Sequence, residues 1–210
     1  MNPVKLKVCG MRDPENILQV AELRPDYMGF IFYGKSKRFV GDDFDIPPRL
    51  NGDIKRVGVF VNETTAKMED LATKHRLELI QLHGNESVEQ CLELKESGRK
   101  VIKVFSIDNK FQFGQTKPFR QVADYFLFDT KSETYGGTGK SFDWKLLERY
   151  DQEVPFFLSG GLSSTNVKDV KNLSGMNLHA LDVNSGVELS PGLKDIEKIG
   201  QLQEILNSNF

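Results

Sequence analysis

The sequence predicts an α/β protein, a (β/α)8 TIM barrel, and three observations support that fold. Runs of apolar, β-branched and aromatic residues recur at an even spacing along the 210 residues. Most gaps between these runs carry apolar residues at helical spacing. Polar residues and glycines gather where the runs end rather than where they begin. A doubly wound sheet is the alternative, but it rarely contains so many even units.

Eight runs are predicted strands: 4–8, 27–32, 55–61, 77–82, 101–105, 124–128, 154–158 and 178–183. The predicted helices are 13–23, one capped by Asn62 or Thr64 and reaching Lys74, then 87–97, 142–150, 164–173 and 191–206. Prolines and a glycine interrupt 39–52 and 107–121, where short or irregular helices are expected. This length is near the minimum for such a barrel, so one domain over residues 1–210 is expected.

Composition excludes several classes of protein. The 28 Lys and Arg against 30 Asp and Glu leave a net charge of −2, which offers no footprint for nucleic acid. No apolar run approaches the ~20 residues that span a bilayer, and the chain enters a strand without an apolar signal segment. Two cysteines make neither a disulfide framework nor a metal site. We therefore expect a soluble cytoplasmic protein with no nucleic-acid or membrane partner.

The first strand delivers a cysteine to the predicted functional end of the barrel. Val4, Leu6 and Val8 alternate with lysines and Cys9, and Gly10 then ends the strand before a helix that Asp13 can cap. Ligands bind at the carboxyl ends of the strands in this fold. A lone cysteine is more often a small buried thiol, the interpretation that suits Cys91 on its helical stripe. The residues that end the other strands favour a functional interpretation for Cys9.

Two glycine loops resemble a phosphate site. The seventh strand runs into Ser159, Gly160 and Gly161, and the eighth into Asn184, Ser185 and Gly186. Glycines let the backbone approach an anion closely, and the loops after strands seven and eight are the recurrent phosphate site of this fold. Either loop alone could be an ordinary turn. Together they predict a phosphate site.

Three further side chains end strands or lie in the loops that follow them. Asp129 follows the sixth strand and precedes a glycine-rich loop over 131–141 that could act as a lid, although a turn cap is the simpler role. His83 follows the fourth strand and could equally be a satisfied core histidine. Arg38 follows the second strand, where an arginine is usually a solvated charge.

These segments together resemble a known family. They are KVCGMRDPEN, the SKR of the loop after strand two, QLHG, FDT with GGTGKSFDW, LSGGLSSTNV and LDVNSGVELSPGLKD. They are similar to phosphoribosylanthranilate isomerases of tryptophan biosynthesis, and the resemblance covers essentially the whole chain. It implies an Amadori rearrangement of N-(5-phosphoribosyl)anthranilate to the 1-deoxyribulose isomer.

The resemblance also implies roles for particular residues. Asp129 would be the general acid and Cys9 the general base, with Arg38 on the anthranilate carboxylate. The other substrate-binding residues would be His83, Asp182 and the residues of the two phosphate loops, Gly160, Gly161, Ser185 and Gly186. No metal or organic cofactor is implied, because a protonated imine is the electron sink. The implied partner is a small phosphorylated substrate, and the chain would be a monomer or a homodimer.

Three rival functions stay open at this point. A barrel isomerase of histidine biosynthesis performs the same rearrangement with two aspartates, which Cys9 argues against. Indole-glycerol-phosphate synthase uses lysines for ring closure and has a longer N-terminal segment. A non-catalytic barrel that binds phospho-sugars would need neither Cys9 nor Asp129.

Strand alternation predicts a polar layer beneath Cys9. Lys7 lies two residues earlier on the same face of its strand, and Lys103 and Asp182 are expected to point inward as well. Lys7 should pair with Asp182. Its charge should lower the pKa of Cys9 below that of a free thiol, which is ~8.5.

Overall fold

A closed barrel of eight parallel strands confirms the predicted fold. The structure is a computed structural model that describes residues 3–41, 43–47, 50, 53–130 and 143–209. The barrel strands are β1 Lys5–Val8, β2 Tyr27–Ile31, β3 Lys55–Phe60, β4 Leu79–Leu82, β5 Lys100–Ile107, β6 Tyr125–Thr130, β7 Phe156–Leu158 and β8 Leu178–Val183. Each predicted strand matches one of them, and β1 pairs with both β2 and β8 to close the ring.

The strands separate two apolar regions. Outward-facing residues such as Leu6 and Val8 belong to a large core between the strands and the surrounding helices. The barrel interior holds a smaller cluster: Tyr27, Val57, Leu79, Ile102, Val104, Leu127, Phe157 and Ala180. Both faces of each strand are therefore buried, as expected of a parallel sheet covered on its outside.

The α-helices begin at the caps that the sequence suggests. Helix α1 spans Pro14–Glu22, and the Asp13 side chain accepts a hydrogen bond from Asn16 N at 2.8 Å. Thr64, rather than Asn62, caps α2 over Thr65–His75, and Ser87 caps α3 over Val88–Glu96. These caps satisfy backbone N–H groups that the first turn of a helix leaves free.

Several connections differ from the regular helices of the prediction. Among the described residues, the helices of segments 107–121, 142–150 and 164–173 are the 3₁₀ helices Phe113–Phe119, Trp144–Arg149 and Val167–Leu173. The described residues between 39 and 53 contain no helix. The stretch 191–206 was predicted wrongly as one helix. It completes an antiparallel hairpin of β9 Glu188–Ser190 and β10 Leu193–Lys194 before α4 begins, over Ile196–Asn209.

The hairpin has a local cause. Gly192 adopts a φ of +88°, which permits the tight turn between β9 and β10 but is incompatible with a continuing α-helix. In the part of the chain that the structure describes, no helix is long and apolar enough to cross a membrane.

A neutral histidine lies near the start of β8, at the end of the barrel opposite to Cys9. His179 Nε2 shares a hydrogen bond with Tyr27 Oη at 2.7 Å. Burial and the nearby ammonium groups of Lys5, Lys55 and Lys100 lower the pKa of His179 to about 4. The imidazole is therefore uncharged in the folded protein at pH values where an unfolded chain would already protonate it.

We expect the free energy of unfolding to fall as the pH drops from about 6.5 towards 4, because the unfolded state then binds a proton that folded His179 does not. Urea denaturation at pH 7, 6 and 5 would measure this slope. The His179→Gln variant should have a shallower slope over the same range. An equal slope in both proteins would show that another group causes the loss.

Candidate active site

An open cavity lies at the carboxyl ends of the barrel strands, the end at which ligands bind in this fold. It is lined by every site residue that the sequence analysis singled out: Cys9, Arg38, His83, Asp129, Gly160, Gly161, Asp182, Ser185 and Gly186. The structure therefore brings together side chains from loops that are far apart in the sequence. The glycine-rich loop expected to act as a lid lies outside the described residues.

Cys9 sits just past the end of β1 and is held by the neighbouring strands. Its backbone N–H donates to Val183 O at 2.8 Å, and only 3% of the residue is exposed. A Cβ at Gly29, on β2, would lie 2.7 Å from the Cys9 sulfur. The absence of a side chain at that position therefore makes room for the thiol.

A buried ion pair lies beneath the thiol, as predicted. The strand register places Lys7 beside Asp182, and Lys7 Nζ lies 2.9 Å from Asp182 Oδ1. Burial alone would lower the pKa of Lys7, but the Asp182 carboxylate and the Cys9 sulfur raise it above its ordinary value. Lys7 is thus held as an ammonium ion inside the barrel.

The predicted direction of the Cys9 pKa shift was wrong. Lys7 does lower the pKa of Cys9, but burial acts more strongly, so the pKa lies above that of an ordinary thiol.

The expectation that Lys103 points inward was also wrong. Ile102 and Val104 face the barrel interior, so Lys103 faces outward and pairs with Glu86 at 2.7 Å.

Asp129, at the end of β6, lies next to His83. His83 Nε2 is 3.5 Å from Asp129 Oδ2, and His83 Nδ1 is 3.3 Å from Gln81 Nε2. Gln81 points into the same cavity and is 1% exposed. Its Oε1 atom has no hydrogen-bond partner among the described residues, so a buried acceptor faces the cavity. The sequence analysis missed Gln81, although its place two residues before His83, and so on the same face of the chain, was a usable signal.

The two glycine loops pack against one another at the cavity wall. A Cβ at Gly186 would collide with Leu162 O, and a Cβ at Gly160 would collide with Thr130. Close backbone packing thus requires both glycines before any ligand is considered. No described residue accepts a hydrogen bond from the backbone N–H groups of Gly161, Ser185 or Gly186, so these donors are available to an anion.

Arg38 has a protein partner that the sequence analysis missed. Its Nε and Nη2 atoms donate to Glu188 at 2.8 and 2.6 Å, in the bidentate geometry typical of arginine and carboxylate. Glu188 also accepts from Lys194 at 2.7 Å, and Lys194 donates to the side chain of Asn184 at 2.8 Å. A Cβ at Gly10 would lie 2.7 Å from Arg38 Cδ, which explains a glycine there.

The chain matches the family model described as N-(5'-phosphoribosyl)anthranilate (PRA) isomerase over residues 6–204. It belongs to that family. The family that the sequence motifs resemble is therefore confirmed.

Relatives of this isomerase family match along nearly their whole length. N-(5'-phosphoribosyl)anthranilate isomerase of Parabacteroides distasonis is 45% identical, over 96% of this chain and 93% of that protein. The crystal structure of phosphoribosyl anthranilate isomerase from Thermotoga maritima is 36% identical, with a TM-score of 0.88 over 98% of this chain and 99% of that one.

A further crystal structure of a phosphoribosyl anthranilate isomerase contains reduced 1-(o-carboxyphenylamino)-1-deoxyribulose 5-phosphate. That chain is 34% identical, with a TM-score of 0.85 over 98% of this chain and 99% of its own.

We expect Cys9 to react with iodoacetamide with an apparent pKa above the ~8.5 of a free thiol, because it is buried. Lys7→Met should raise that pKa further, since the ammonium of Lys7 favours the thiolate. The measurement is the pH dependence of alkylation, followed by mass spectrometry in a Cys91→Ala background that removes the other thiol.

Lys5→Met is the matched control, because it removes a lysine from the same strand at the far end of the barrel. It should leave the titration of Cys9 unchanged. A Cys9 pKa at or below the free-thiol value, or no response to Lys7→Met, would contradict this account of the site.

Proposed function

We propose that this protein is an aldose–ketose isomerase that converts N-(5-phosphoribosyl)anthranilate into 1-(2-carboxyphenylamino)-1-deoxyribulose 5-phosphate in tryptophan biosynthesis. The observation that carries the proposal is a cavity that Cys9 and Asp129 share with an arginine and with two loops whose backbone N–H groups have no acceptor among the described residues. Family membership gives the same reaction class. A domain over residues 1–210, action in the cytoplasm and a monomeric or homodimeric state stay predictions.

The anionic groups of the substrate orient it in the cavity. The phosphate binds the backbone N–H groups of Gly161, Ser185 and Gly186, because glycine loops allow such close approach. The anthranilate carboxylate binds the part of the Arg38 guanidinium that Glu188 leaves free. Fixing both ends places the ribose across the cavity between Cys9 and Asp129.

Asp129 acts first, as a general acid. It donates a proton to the ribose ring oxygen, the bond from that oxygen to C1 breaks, and the nitrogen lone pair forms the protonated imine. The sugar is now in its open-chain form, and the imine nitrogen carries a positive charge. His83, beside the carboxyl group, holds Asp129 at the cavity wall.

Cys9 then acts as a general base. As a thiolate it removes the proton from C2, and those electrons neutralise the imine to give an enolamine, which tautomerises to the ketone. The thiol is largely protonated in the unliganded protein, since burial raises its pKa. The cationic imine brings a positive charge into the site and so favours the thiolate at the moment when it is needed.

We expect Cys9→Ala and Asp129→Asn each to lower kcat by about 10²–10⁴-fold, the usual contribution of general acid–base catalysis. Inhibition by inorganic phosphate should persist in both variants, because the anion-binding loops are untouched. The assay follows the loss of phosphoribosylanthranilate fluorescence.

Cys91→Ala is the matched control, because this buried thiol lies on α3 outside the cavity. A near-normal kcat in either site variant would disprove its catalytic role. No turnover by the wild type would favour a barrel that only binds phospho-sugars.

The phosphate-binding loops can be tested with two variants of Ser185 that match each other in size but differ in charge. Ser185→Asp should raise the inhibition constant for inorganic phosphate at least tenfold, roughly the cost of a like charge beside a bound anion. Ser185→Asn, of the same size but uncharged, should have a much smaller effect. Equal inhibition constants in the two variants would place the phosphate elsewhere. This design avoids Gly160 and Gly186, where a side chain would collide with the protein itself.

A further inference from the structure

The hairpin of β9 and β10 is attached to helix α1 through one asparagine. Asn16 Oδ1 accepts from Lys194 N at 2.7 Å, and Asn16 Nδ2 donates to Lys194 O at 2.9 Å. Asn16 and Lys194 are 2% and 1% exposed. Because the backbone N–H and C=O groups of Lys194 are both hydrogen-bonded to Asn16, the position of the Lys194 backbone is fixed relative to helix α1.

The Lys194 ammonium ion is fully engaged inside the protein. It donates to Glu188 Oε1 at 2.7 Å, to Asn184 Oδ1 at 2.8 Å and to Asn184 O at 3.4 Å. Burial lowers the pKa of Lys194, and the Glu188 carboxylate opposes that shift. Three acceptors match the three N–H donors of the ammonium form, which is the form that this geometry suits. Lys194 thus connects the hairpin to the loop after β8.

Glu188 is saturated as an acceptor. Its Oε1 accepts from Lys194 Nζ, from Arg38 Nε and from Gly192 N, and its Oε2 accepts from Arg38 Nη2 at 2.6 Å. A carboxylate offers about four lone-pair sites, so little capacity is left for a substrate. Glu188 therefore serves the protein by holding Arg38.

Within the described part of the chain, the guanidinium of Arg38 keeps one edge without an acceptor, and Glu188 neutralises only part of the positive charge around it. Among the described residues, no partner accepts from its Nη1 hydrogens, and the residue lines the cavity. Arg38 and Lys194 carry two positive charges against the single negative charge of Glu188, so the cluster has a net charge of 2 − 1 = +1. Buried ion clusters add little to stability compared with apolar side chains of equal volume. The cluster can instead fix the orientation of Arg38 and leave one surplus positive charge at the cavity.

We propose that Glu188 and Lys194 are positioning residues that fix the guanidinium of Arg38 and make the site selective for a substrate whose aromatic amine carries a carboxylate. This inference rests on the proposed function, in which Arg38 binds that carboxylate. Glu188 fixes the guanidinium plane through its two hydrogen bonds. Lys194 supplies the second positive charge, so that Glu188 does not neutralise the whole charge of Arg38.

The test compares two ligands by isothermal titration calorimetry. One is reduced 1-(o-carboxyphenylamino)-1-deoxyribulose 5-phosphate, and the other is the same compound without its carboxyl group. The wild type should prefer the carboxylated ligand by at least about tenfold, the value of one charge-assisted hydrogen bond. Arg38→Met should abolish the preference.

Two variants probe the positioning pair. Lys194→Met should reduce the preference at least about threefold, because Glu188 then neutralises Arg38 completely. Glu188→Asp keeps every charge but shortens the side chain by one methylene, so a similar reduction would show that position matters. Affinity for the ligand without a carboxyl group should stay within about twofold in both variants. In an Arg38→Met background, Lys194→Met should have no further effect on the preference.

Lys103→Met is the matched control, because Lys103 also forms a buried ion pair but does not line the cavity. It should lower the unfolding midpoint and leave the ligand preference intact. Equal weakening of both ligands by Lys194→Met, or an unchanged preference, would overturn the proposal. If Lys194→Met does not fold, Glu188→Asp decides. Failure of the wild type to bind the carboxylated ligand would instead count against the proposed function.

Discussion

Closure of the barrel is the constraint on which the rest of the structure depends. All eight strands are parallel, so closing the sheet brings every carboxyl end into one ring. The closing pair, β1 with β8, sets Lys7 beside Asp182 although 175 positions separate them in the chain. In an open sheet these two strands could lie at opposite edges, and Cys9 would have neither its cavity nor the charge beneath it.

The barrel interior changes from apolar to charged along the barrel axis. Apolar side chains fill its lower part, the ion pair of Lys7 and Asp182 lies above them, and the cavity follows. A buried charge is tolerated only when it is paired, so Lys7 has a carboxylate beside it. The same burial raises the pKa of Cys9. The thiol is therefore largely protonated in the empty site.

Sequence reasoning failed where a side chain's orientation or partner depends on distant parts of the chain. Both faces of β5 are buried, so apolar patterning could not show whether Ile102 or Lys103 points inward. The sequence pattern predicts a helix that includes Pro191 and Gly192, but the positive φ of Gly192 makes a hairpin turn instead. That hairpin brings Glu188 to Arg38 across 150 positions, a pairing with no local signal.

The sequence by itself determined the order of the barrel strands, the residues at their carboxyl ends and the family. Strand alternation and turn residues are local properties, and Cys9, Asp129 and the two glycine loops follow strands that can be read directly. Only the tertiary structure decided that Glu188 and Lys194 hold Arg38, that Gln81 offers a buried acceptor, and that the pKa of Cys9 rises. Burial and charge separation depend on which strands and loops become neighbours in space, and barrel closure sets that at long range.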